Sequence, residues 1–144
     1  MKWGYALNRI SLKGVIVGGF IDVALTIVLS IPLIIYAATQ LDVANLPQDQ
    51  ILIAIRANAL FHVLQLLIGI AASIFGGYVA ALLAKRNELL NGTLSSFLCV
   101  AMGLYSISSG PLVEKIIPLA ASPLLGLLGG YIRFIQMRRR SSRT

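Results

Sequence analysis

A chain of 144 residues that is 58% hydrophobic and only 12% charged, with a mean hydropathy of +0.87, has membrane composition. Soluble domains lie nearer half apolar and a quarter charged. The net charge of +7 and pI near 10.1 sit in basic residues at the ends of apolar stretches. No aromatic-basic surface accompanies them, so nucleic acid is not an expected partner and anionic lipid headgroups are. The single cysteine, Cys99, excludes an internal disulfide and a multi-cysteine metal site, and reads as a small buried hydrophobe.

Four apolar stretches follow in order: Gly14–Ala38, Ile51–Leu83, Leu94–Ile107 (extendable to Gly110) and Val113–Met137. A helix needs about 20 residues to cross hydrocarbon and satisfies its own backbone. None of the four alternates as a barrel strand would. The expected fold is therefore all-α: one domain, a four-helix antiparallel transmembrane bundle. Its helices run roughly over 13–38, 48–84, 91–110 and 113–137, and a basic cytoplasmic tail covers 138–144.

The first helix follows Lys2, Arg9 and Lys13 but is too long for a signal-peptide core, and it carries Asp22. Its Gly14, Gly18 and Asp22 recur every four residues, which places the acid on the bundle-facing side. An unpaired carboxylate at that depth is strongly disfavoured. The expected partner is Arg133 in the fourth helix, helped by the Tyr78 or Tyr131 hydroxyl.

The second helix opens at "NLPQDQ", where Pro47 suits a first turn and Asp49 suits the positive dipole end. It is longer than a membrane span, so it must tilt, bend or project. Asn58, His62 and Gln65 share one of its faces and, with Tyr105, form an expected outer polar cluster. The bland reading of that cluster is interhelical hydrogen bonding; the functional one is a small cavity for an ion or solute. His62 is the only histidine, and no HExxH, nucleophile elbow or phosphate loop is present. No catalytic residue, metal or cofactor is therefore expected.

Lipid gives helices no hydrophobic reason to associate, so small residues must let backbones approach. Gly69, Ser73 and Gly77 repeat every four residues in the second helix, and Ser122, Gly126 and Gly130 do so in the fourth. Both helices end on the same device, "GGY" followed by basic residues. "NGT" at Asn91 matches a glycosylation acceptor but falls on the predicted cytoplasmic side, and is set aside.

Ten basic residues lie on one side of this topology, including Lys85, Arg86, Arg133, Arg138, Arg139, Arg140 and Arg143. Only Arg56 and Lys115 fall on the other. The bias predicts both termini cytoplasmic. Arg138, Arg139 and Arg140 are expected to meet lipid headgroups.

"LKGVIVGGFIDVALT" with "GGYVAALLAKRNELLNG" resembles small four-helix bacterial inner-membrane proteins of uncharacterised function. That resemblance covers the first two helices and the entry to the third, and implies a multi-pass protein of the bacterial inner membrane. An acid in the first of four helices is also similar to small multidrug transporters, although Asp22 stands where that family has glutamate. The leading expectation is a non-enzymatic accessory or structural subunit acting through helix packing, with a protein partner or a second copy. A small-solute or proton-coupled transporter, using Asp22 and a cavity around His62, is the alternative.

Overall fold

The computed structural model describes residues 10–41, 45–84, 87–105 and 112–141. Among them lie five helices and no strand: α1 (Leu12–Gln40), α2 (Gln48–Ala57), α3 (Ala59–Ala84), α4 (Glu88–Tyr105) and α5 (Leu112–Ser141). α1 and α3 are each long and apolar enough to cross a membrane.

The overlong second helix of the sequence reading is two helices. Asn58 leaves helical geometry at φ −75° and ψ 113°, and its Oδ1 accepts from Phe61 N at 3.0 Å. One side chain thus ends α2 and caps α3, relieving the excess length by a break. Pro47 takes the N-cap of α2. One further boundary differs from expectation. α5 begins at Leu112, as expected, but continues to Ser141, so Arg138, Arg139 and Arg140 form its last helical turn instead of a tail. Three cations there suit the negative end of the helix dipole.

The four long helices form a rhombus. α1 packs on α3 and α4, α5 packs on α3 and α4, and α3 touches α4 across the short diagonal; α1 and α5 stand at the far corners. The start of α1, the end of α3, the start of α4 and the end of α5 share one end of the bundle. Gly14 meets Ala80 and Ala84 there, and Gly130 meets Glu88. This is the basic end, carrying Arg138–Arg140. The opposite end holds α2, Gln40 and Asn58.

The paired glycines follow from this geometry. Adjacent helix positions point about 100° apart, so two successive glycines on one helix can open toward two different neighbours. Gly18 meets α3 at Gly76 and Ala80 while Gly19 meets α4 at Ser95 and Leu98. Gly76 meets α1 and Gly77 meets Gly126 of α5; Gly129 meets α3 at Ile74 and Tyr78, and Gly130 meets α4. A Cβ built on Gly18 would lie 2.6 Å from Gly76 O, and one on Gly130 would lie 2.6 Å from Glu88 O. These are backbone contacts that no side chain can yield to.

The interior is accordingly made of small residues. Ala72, Ala80, Ala81, Ser73, Ser95, Ser96 and Ser122 are buried, while Phe20, Ile27, Ile31, Ile35, Leu67, Phe75, Phe97 and Leu124 are exposed. Large apolar side chains outside and small ones inside invert the order of a water-soluble core.

Candidate functional site: a buried acid on the α1–α3 seam

Among the described residues the buried acid is Asp22, 2% exposed, on a stripe of α1 that includes Gly14, Gly18, Ser30, Leu33 and Ala37. Ser73 of α3 donates its hydroxyl to Asp22 Oδ1 at 3.3 Å, and the Cys99 side chain of α4 lies beside the carboxyl. Gly76 completes the enclosure, since a Cβ built there would stand 2.7 Å from Asp22 Cβ.

The expected Asp22–Arg133 pair does not form. Arg133 is on α5, across the long diagonal from α1, and the carboxylate of Asp22 is met by the Ser73 hydroxyl of α3 instead. The two tyrosines are elsewhere as well. Tyr78 OH donates to Gln136 Oε1 at 2.9 Å, joining α3 to α5, and Tyr131 is exposed.

Above Asp22 the seam carries a second polar rung. Thr26 Oγ1 donates to Asp22 O at 2.9 Å, and Ser30 Oγ donates to Thr26 O at 2.6 Å. With its one proton so used, Ser30 Oγ accepts from Gln65 Nε2 of α3 at 2.9 Å. Gly69 lies four residues from both Gln65 and Ser73, hence on the same face of α3 and level with Thr26. A Cβ built on it meets nothing within 4 Å. Gly69 is therefore not a packing glycine, unlike Gly14, Gly18, Gly77, Gly126 and Gly130. It leaves open space between two hydrogen-bonded rungs.

Beyond the Ser30–Gln65 rung the seam widens into a cavity of about 160 Å³, lined by Leu33, Tyr36, Ala37, Gln40, Asn58, Leu60, Phe61 and Leu64. This replaces the expected cavity around His62. His62 is exposed, its backbone N–H donates to Asn58 O, and its imidazole makes no hydrogen bond among the described residues. Of the expected outer cluster, Asn58 is a cap and cavity wall, Gln65 a rung, and the Tyr105 side chain lies outside the described residues. Among the described residues no three His, Cys, Asp or Glu side chains converge as metal ligands.

Two interior residues escaped the sequence reading. Asn91 is fully buried; its Oδ1 accepts from Ser11 N at 2.8 Å and its Nδ2 donates to Asn87 O at 3.1 Å. It ties the N-cap of α1, whose Ser11 Oγ accepts from Gly14 N, to the start of α4. An asparagine one turn into an apolar helix was the available signal, obscured by its glycosylation-like context. Ser96 Oγ is buried without a hydrogen-bond partner, beside Gly126. No family model, curated protein or solved structure matches the chain.

Proposed function

We propose that this is a multi-pass protein of a bacterial inner membrane, with α1, α3, α4 and α5 crossing the bilayer and both termini cytoplasmic. It acts without catalysis, as an accessory or structural subunit that works through helix packing. The inverted residue distribution carries the reading: among the described residues the interior is mostly Gly, Ala and Ser, and the lateral surface is rich in Ile, Leu and Phe. Such a surface suits lipid or the flank of another membrane helix. Arg138 stacks over the Phe134 ring at 4.7 Å, which holds one cation of the basic turn at the end of an apolar helix, as a headgroup contact requires.

Two measurements test the reading. On a Cys99→Ser background, an impermeant thiol reagent applied to intact cells is expected to label a cysteine at Gln40 and spare one at Arg143. The reverse pattern overturns the orientation, and recovery of the chain in the soluble fraction overturns the membrane placement. Native mass spectrometry from mild detergent is expected to find a fixed stoichiometry with itself or a second membrane protein. A lone monomer that conducts a solute in vesicles contradicts the subunit role.

A further inference from the structure

The α1–α3 seam has two unlike halves about Asp22. Toward the basic end it is closed by main chain: Gly18 against Gly76 and Ala80, and Gly14 against Ala80 and Ala84, with no space for a Cβ. Toward the other end it offers the open space at Gly69, then the Ser30–Gln65 rung, then a cavity whose rim carries Gln40 and Asn58. Hydroxyl and amide groups line this direction at each step: Ser73, Thr26, Ser30, Gln65 and Asn58. A seam needed only for packing has no reason to keep a glycine facing empty space between two polar rungs.

We propose that this seam is a one-sided proton path, through which Asp22 exchanges its proton with water arriving from the Gln40–Asn58 end past Gly69. On release, the carboxyl O–H proton passes to a water beside Gly69. The carboxylate left behind keeps the Ser73 hydroxyl on Oδ1 and the Cys99 thiol beside it; uptake is the reverse transfer. The Ser30–Gln65 hydrogen bond, between a buried serine and a half-buried glutamine, is the closure that opens to admit water. α1 surrounds Asp22 with Gly18 and Thr26, α3 with Ser73 and Gly76, and α4 with Cys99, so among the described residues Cys99 is the titratable group facing it. The proposal rests on the membrane placement above but not on the subunit role.

The test is infrared spectroscopy of the full chain in phosphatidylethanolamine–phosphatidylglycerol vesicles of known orientation, following the carboxylic C=O band after a pH step on one side. Wild type is expected to gain, on acidification from the Gln40 side, a component of the band that Asp22→Asn lacks, beyond the part that Asp42, Asp49, Glu88 and Glu114 give in both. Gly69→Leu fills the open space and is expected to keep the band but slow its response about tenfold or more. The proposal is overturned by bands that are identical in wild type and Asp22→Asn, or by an equal response of the Asp22 component from the Arg138 side. A wild-type rate in Gly69→Leu also overturns it. Should Gly69→Leu fail to insert, Thr26→Cys on the Cys99→Ser background decides the path. A small water-soluble thiosulfonate must modify it from the Gln40 side only. Inserted chain with Thr26→Cys unmodified defeats the path, whereas chain that never inserts defeats the membrane placement instead.

Discussion

At the basic end the helices touch through main chain, at Gly14, Gly18, Gly76, Gly77, Gly126, Gly129 and Gly130. At the opposite end they are joined by a Ser30–Gln65 hydrogen bond, a cavity and a helix broken at Asn58. The difference shows how one bundle obtains both register and room. Backbone contacts admit one arrangement, because no rotamer can absorb a shift. Side-chain contacts around a cavity admit several, so movement and access belong at that end.

Single substitutions break or sharpen the contrast. The largest effect is expected at Gly77→Leu, whose side chain would enter the Gly126 main chain. Loss of about 3 kcal/mol is expected in reversible detergent unfolding, the upper part of the overpacking range. Asn91→Ala should cost about 1–3 kcal/mol, because Ser11 N loses its buried acceptor. Gly69→Ala, into open space on a helix, should gain about 0.5–1 kcal/mol. The same change at Gly77 should lose stability, so a matched response at the two glycines would erase the distinction between the ends. The smallest effect is the coupling between Asp22→Asn and Arg133→Gln. Residues on opposite corners of the rhombus should be additive within about 0.5 kcal/mol in a double-mutant cycle.

What was legible in the sequence was one-dimensional. Helical character, the burial of Asp22, Ser73 and Ser122, and the close approach at Gly14, Gly18, Gly77, Gly126 and Gly130 all follow from composition and four-residue spacing. The order of helices around the bundle does not. Pairing Asp22 with Arg133 required α1 beside α5, and spacing along one helix says nothing about which helix faces it. The same gap hid the use of each glycine pair, one residue per neighbour. Gly69 misled because four-residue spacing marks a face without saying that a neighbour fills it. Asn58 was read as part of a polar face, yet asparagine also caps helices, and excess length beside it was the sign of a break.

The central claim is that the large apolar side chains of α1 face lipid. Nitroxides placed singly at Ile16, Phe20, Ile27, Ile31 and Ile35 in the bilayer-reconstituted chain test it most directly. All five positions are exposed. The account predicts frequent collisions with oxygen, which concentrates in hydrocarbon, and few with a water-soluble nickel chelate. Frequent collisions with the chelate at Phe20, Ile27 and Ile31 would mean that this surface meets water, and would contradict it.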